Sequence, residues 1–223
     1  MLTARGITKS YGTLQVLKGI DLNVREGEIV SIVGASGAGK STLLHILGTL
    51  DKPDNGELFL DEKNLLKLNQ KQAAKFRNTR VGFVFQFHNL LPEFSALENV
   101  CIPGYIAKNP TGSVEAEAKR LLTLLGIGSR TEHKPSQLSG GELQRAAVAR
   151  ALINKPAIVF ADEPSGNLDS KNANELHRLF FELRDELNQT FVIVTHNEDL
   201  ATMADRKLEI RDGMIVSVVK DRE

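Results

Sequence analysis

Glu28-Ile29-Val30-Ser31-Ile32-Val33-Gly34-Ala35-Ser36-Gly37-Ala38-Gly39-Lys40-Ser41-Thr42 is the stretch that decides the fold. Residues 28–33 are mostly apolar and β-branched, as a buried strand requires. After Thr42, Leu43, Leu44, Ile46 and Leu47 recur at helical spacing. The residues between match G-x-x-x-x-G-K-[ST], so a glycine-rich loop joins a strand to a helix N-terminus. Gly34, Gly37 and Gly39 let successive backbone N–H groups curl around an anion with no Cβ in the way. The helix adds its positive dipole end. Lys40 can reach β- and γ-phosphates, and the Ser41 hydroxyl can face Mg²⁺. An ordinary turn with a chance lysine would have no reason to carry both the strand and the helix.

The chain has 223 residues, enough for one large domain or a domain with a lobe. Its 28 basic and 28 acidic residues balance, which gives no electrostatic case for nucleic acid or an anionic membrane surface. The single cysteine, Cys101, excludes an intrachain disulfide and suits a reducing compartment as a small buried residue. The first residues lack the apolar run of a secretory signal, and no run of 18 apolar residues spans a membrane. Membrane contact is therefore expected through partners alone.

Working outward from the loop, Ile20, Leu22 and Val24 alternate with Asp21, Asn23 and Arg25, a half-buried strand of an antiparallel sheet. An earlier strand is expected over residues 2–8, followed by a loop Ser10-Tyr11-Gly12 whose tyrosine is placed to stack on a base. Downstream, breakers at 51–56 mark a turn before a short strand at 57–60. Residues 69–79 read as a helix with Ala73, Ala74 and Phe76 inward. Residues 81–85 form a buried strand ending at Gln86, at the edge where open parallel sheets bind ligands. From 87 to 155 the texture is helical, with 113–125 the clearest helix, and this reads as a lobe inserted into an α/β core. Strands follow at 157–161 and 191–195, ending in Asp162-Glu163 and His196. A helix over 174–187 lies between them, and Thr195 with Glu198 fits a capping box for a short helix after the second. Asp212-Gly213 between two alternating runs signals a terminal hairpin.

The parallel strands thus deliver the phosphate loop, Gln86, Asp162-Glu163 and His196 to one edge. Asp162 after four apolar residues suits Mg²⁺. Two adjacent carboxylates repel unless a cation neutralises one, which leaves Glu163 to orient or deprotonate a water. His196 could donate to a γ-phosphate. The other histidines (45, 88, 133, 177) show no metal-ligand spacing and read as structural or surface groups. Leu138-Ser139-Gly140-Gly141-Glu142-Leu143-Gln144-Arg145 opens a further helix with a Ser139/Glu142 capping box. Its two glycines cost roughly 1 kcal/mol each in helix propensity and leave N–H groups bare, which makes a second anion site.

In this order, Tyr11, residues 34–42, Gln86, residues 138–144, Asp162-Glu163, Ser165-Gly166-Asn167-Leu168-Asp169 and His196 resemble the ATPase subunits of ABC transporters over essentially the whole chain. The resemblance implies a P-loop NTPase fold: one domain over 1–223, with an α/β core and antiparallel β subdomain at 1–86 and 156–223 and a helical signature subdomain at 87–155. It implies ATP and Mg²⁺ as cofactors, and the metal would be held by Ser41, Gln86 and Asp162. Tyr11 would pack on adenine, with Gly34, Ala35, Ser36, Gly37, Ala38, Gly39, Lys40, Ser41 and Thr42 around the phosphates. Glu163 would be the catalytic base, Gln86 a sensor and His196 a γ-phosphate switch. Ser139, Gly140, Gly141 and Glu142 would act on ATP held by the other chain of a head-to-tail homodimer.

Residues 162–169 resemble the subgroup serving lipoprotein release, macrolide or peptide export and cell division. Residues 86–100 are most similar to its lipoprotein-releasing branch. The partners implied are integral membrane permease subunits, with the chain peripheral on the cytoplasmic face of the inner membrane and no nucleic acid involved. Alanines at 35 and 38, and Leu143 where a polar residue is commoner, are the departures. A soluble relative, such as an ATPase of iron–sulfur assembly, is the competing class.

Overall fold

The computed structural model describes residues 1–220. Its contacts divide the chain into two compact units, Met1–Ala74 with Arg184–Glu223, and Lys75–Leu183.

The first unit holds two sheets. In the antiparallel one, β1 (Leu2–Tyr11) pairs with β2 (Leu14–Val24) and β4 (Asn55–Leu60), and a two-residue β5 (Lys63–Asn64) extends it. Leu17, Ile20, Leu22 and Val24 are buried while Asp21 and Asn23 are exposed, the alternation expected of a one-sided sheet. A bulge around Gly6, whose N–H donates to Asp21 Oδ1 at 2.8 Å, shifts the register between Ala4 and Ile7. Tyr11 closes β1 instead of lying in a loop, because pairing to Leu14 carries the ladder up to the turn.

The second sheet of this unit contains β3 (Ile29–Val33), parallel to β8 (Thr190–Val194) and to β9 (Arg206–Arg211), with β10 (Met214–Lys220) antiparallel on β9. Every residue of β3 and β8 is buried, as in a sheet covered on both faces. α1 (Lys40–Leu47) packs against β8, and α7 (Glu198–Met203) against β3. The Asp212-Gly213 turn takes φ of 50° and 79°, the geometry a two-residue hairpin demands. α7 is capped by Asn197, which accepts from Leu200 N at 2.9 Å. Thr195 instead accepts from Asn197 N at 3.0 Å, two residues too early to be the cap.

The second unit is built on β6 (Val81–Phe85), parallel to β7 (Ile158–Asp162), with Phe85 opposite Asp162. α5 (Gly140–Leu152) packs on β6 so closely that a Cβ at Gly82 would lie 2.7 Å from Ala151 O. α3 (Ala96–Ile106) and α4 (Thr111–Leu124) pack on each other and on α5. Within residues 87–155 the regular elements are these helices and single 3-10 turns at Gly128–Arg130 and Pro135–Gln137. The unit boundaries fall inside α2 (Gln70–Arg80) and α6 (Ser170–Leu187). Only Phe76 is buried in α2; Ala74 is exposed, because the helix is polar around most of its circumference. α6 starts four residues before the apolar spacing does, since Asp169 accepts from Asn172 N at 2.9 Å and caps it.

Candidate functional site

In the first unit, the end of β3 turns into the loop 34–39 and then into α1. Gly34 and Gly39 have no room for a side chain: a Cβ would stand 2.2 Å from Ile210 O and 2.8 Å from Leu17 Cδ2. Gly37, at φ 78°, faces open space, so the lip of the loop stays accessible while its base is packed. Ala35, Ser36 and Gly37 are exposed, and Ala38 is buried. Lys40 is 6% exposed, and its Nζ donates to Gly34 O and Ala35 O, each at 2.9 Å. A buried ammonium is thereby folded over the cradle, and Ser41 and Thr42 follow in the first turn of α1.

The parallel pairing of β3 with β8 sets Ile32 opposite Val194, and Thr195 N donates to Ile32 O at 3.1 Å. His196 therefore emerges beside the strand end that feeds the loop. Tyr11 is 52% exposed; its hydroxyl donates to Asp51 Oδ2 at 2.7 Å, and Lys9 Nζ stands 5.1 Å from the ring centroid. The Asp51 hydrogen bond pushes the phenol up from its ordinary value and pins the ring.

In the second unit, the register that puts Phe85 opposite Asp162 makes Gln86 and Glu163 neighbours at the strand ends. Glu163 has φ 48°, a conformation a non-glycine residue adopts at a cost. Gln86 Nε2 donates to Asn167 Oδ1 at 3.0 Å, and Asn167 Nδ2 returns a bond to Gln86 O at 3.2 Å. Gly166 packs under that amide: a Cβ there would meet Gln86 Nε2 at 2.9 Å.

The glycine-rich start of α5 lies against the same turn. A Cβ at Gly140 would be 3.5 Å from Leu168 Cδ2, and one at Gly141 only 2.7 Å from Asn172 Oδ1. The capping box forms as its spacing demands. Ser139 N and Ser139 Oγ both donate to Glu142 Oε2, at 2.8 and 2.9 Å, and Glu142 N donates to Ser139 Oγ at 3.3 Å. Glu142 is held down to about 2, first by the Ser139 N–H and then by Arg130, whose Nε donates to Oε1 at 2.8 Å.

Each unit thus gathers its own half of the set, Tyr11, residues 34–42 and His196 in one, and Gln86, Asp162, Glu163 and Ser139 to Glu142 in the other. A family model for ABC transporters matches residues 17–166, from β2 to the turn after Glu163.

This chain belongs to the ABC transporter ATPase family.

The ATPase is 61% identical over 216 residues to the lipoprotein-releasing system ATP-binding protein LolD of Cytophaga hutchinsonii, covering 97% of this chain and 99% of the relative. It is 58% identical to the protein of the same name from Bacteroides fragilis, over 97% of this chain and 100% of that one. Among solved structures it resembles a dimeric post-hydrolysis state of the ATP-binding cassette MJ0796 bound to ADP and Pi, with a TM-score of 0.91, 38% identity and full coverage of both chains. A second dimeric structure of MJ0796, a bacterial ABC transporter cassette, matches with a TM-score of 0.92 and 39% identity over all of both chains. The fold and the ATPase activity implied by the motifs are those of this family. A loop whose base needs glycine and whose mouth holds a buried lysine fits a nucleotide triphosphate.

Sequence reading missed several groups that shape the site. Arg130 reaches Glu142 across twelve residues, a contact that no local pattern announces. Arg150 donates to His88 O and Asn89 O at 2.7 and 2.6 Å. Gln144 donates to Phe85 O at 3.1 Å and lies 2.7 Å from His88 Nδ1. Asn99 holds the 91–95 stretch. Its Nδ2 donates to Leu91 O, Phe94 O and Ser95 O at 3.0 to 3.1 Å, and its Oδ1 accepts from Leu91 N at 2.7 Å. The start of α3 did carry a legible signal, the Ser95/Glu98 capping box.

Proposed function

We propose that this cassette is the ATP-hydrolysing subunit of a lipoprotein-releasing ABC transporter, peripheral on the cytoplasmic face of the inner membrane. The observation that carries the reading is its 61% identity, nearly end to end, with a relative of that name. No helix among the described residues is long and apolar enough to cross a membrane, so attachment runs through integral permease subunits. Their contact is the stretch 87–94, at the start of the helical subdomain 87–155. Phe87 is 70% exposed, with Leu91 and Phe94 also exposed, while the buried Asn99 and the side chains of Gln144 and Arg150 fix the backbone below. An apolar patch on so ordered a base is built for a partner.

In the reaction, Tyr11 offers its open ring to adenine. The N–H groups of residues 35–41 and the Lys40 ammonium take the β- and γ-phosphates. Ser41, Asp162 and Gln86 carry the oxygen donors suited to Mg²⁺, which would supply charge neutralisation at the phosphate oxygens. Glu163, aimed by its left-handed backbone, accepts the proton of the water that attacks the γ-phosphorus. His196 donates to the γ-phosphate and registers its loss. Ser139, Gly140, Gly141 and Glu142 present a helix N-terminus to ATP held by the partner chain in a head-to-tail homodimer, so one chain carries two anion sites.

The test is affinity purification of the tagged chain from detergent-solubilised native membranes. Permease subunits that co-purify with a lipoprotein substrate support the reading. Permease subunits carrying a macrolide or peptide would assign the cassette to a sister exporter, and isolation without membrane partners would point to a soluble ATPase.

A further inference from the structure

The α5 N-terminus presents a difficulty for the role just given to it. A helix end that receives a triphosphate should be positive, yet its first turn carries Glu142, a carboxylate held fully ionised at any physiological pH. An unneutralised negative charge there opposes the phosphate it is meant to meet. The arrangement around Glu142 divides its two oxygens. Oε2 takes both the N–H and the hydroxyl of Ser139, and Oε1 takes Arg130 Nε at 2.8 Å. Arg130 comes from the 3-10 turn Gly128–Arg130, outside the motif, with its side chain 43% exposed. The turn is itself braced: His133 N donates to Arg130 O at 3.0 Å, while His133 O and Thr131 O accept from Ala96 N and Leu97 N at 2.8 and 2.9 Å.

We propose that Arg130 is a positioning residue for ATP hydrolysis: it neutralises Glu142 and fixes that carboxylate's rotamer, so that Ser139 is held for the partner's γ-phosphate without a repelling charge beside it. The inference rests on the reading that Ser139 to Glu142 act on the opposite subunit's ATP. An ion pair whose arginine side chain is 43% exposed is screened by solvent and contributes little to stability. The signature of this role is therefore a loss of turnover out of proportion to any loss of fold.

Steady-state ATPase activity, nucleotide affinity by calorimetry and thermal melting of the full chain test it. Arg130→Ala should lower kcat about tenfold, leave the Kd for ATP within about twofold and move Tm by less than about 4 °C. Arg130→Lys, which keeps the charge, should retain at least about half of kcat. Arg130→Ala with Glu142→Gln should recover to within about twofold of Glu142→Gln alone, since removing the carboxylate removes the need for its counterion. Arg130→Gln, which keeps a donor without the charge, replaces Arg130→Ala if the latter does not fold.

Unchanged kcat in Arg130→Ala while Ser139→Arg is inactive would overturn this inference and leave the in-trans reading standing. Simply additive losses in the double variant would also overturn it, as would failure of both neutral variants to fold. Full activity in Ser139→Arg would remove the in-trans reading, and this inference with it.

Discussion

Glu163 stands at a sharp change of backbone: at φ 48° it leaves the extended geometry that Asp162, the last residue of β7, still follows. Glutamine has the same Cβ and the same backbone cost, so Glu163→Gln isolates the carboxylate. Hydrolysis should slow by roughly 10² to 10⁴ with ATP affinity retained, read by single-turnover kinetics. Lys40→Ala deletes the buried ammonium over the cradle, and the Kd for ATP by calorimetry should rise about a hundredfold. Glu142 gives a pH test. Its carboxyl is lowered from an ordinary 4.5 to about 2 in the fold. The carboxylate therefore contributes stability at pH above 4.5, and that contribution is lost as pH falls from 4.5 towards 2. Between pH 5 and 3 the melting temperature of the native chain should fall further than that of Glu142→Gln.

Among the elements, the helices show what a linear sequence reveals. α5 was legible because its cap, Ser139 and Glu142, and its apolar face are local, and the strands β3, β7 and β8 because burial on both faces leaves short, mostly apolar runs. α3 was hidden by Pro103 and Gly104 inside it, although a Cβ at Gly104 would stand 2.6 Å from Val114 Cγ1, so glycine there is a packing requirement of α4. α7 kept its place but not its cap, since Thr195 and Asn197 compete for the same helix start and only the structure shows which backbone N–H each oxygen meets. Ser139→Arg at the head of α5 should suppress hydrolysis with ATP affinity of the isolated chain nearly intact. Mixed with Lys40→Ala chains, it should regain measurable activity, because one heterodimer site combines an intact phosphate loop with an intact Ser139. ATPase assays of the mixture against each parent decide it.

For the whole molecule, the two half-sites were readable as motifs because phosphate chemistry restricts residue type and spacing. The contacts made by Arg130, Arg150, Gln144 and Asn99 around them were not, because they act over distances in sequence that carry no period. The patch at 87–94 belongs to this scale, since the role proposed for it lies outside the chain. Glu93→Ala with Phe94→Ala should leave melting and basal ATPase near normal and abolish co-purification with permease subunits. Intact co-purification would remove this stretch as the contact.

Asn99 adds a consequence for assembly. One buried amide with four hydrogen bonds holds the backbone of residues 91–95 in a fixed course before any partner arrives. A loop that must be ordered on association loses conformational entropy at that moment and slows or weakens docking. Here the ordering is already done during folding, by a side chain that is itself fully buried. Encounter with a permease should therefore proceed as a near-rigid fit, with amide hydrogens in 91–95 resisting exchange as strongly in the free ATPase as in the assembled transporter.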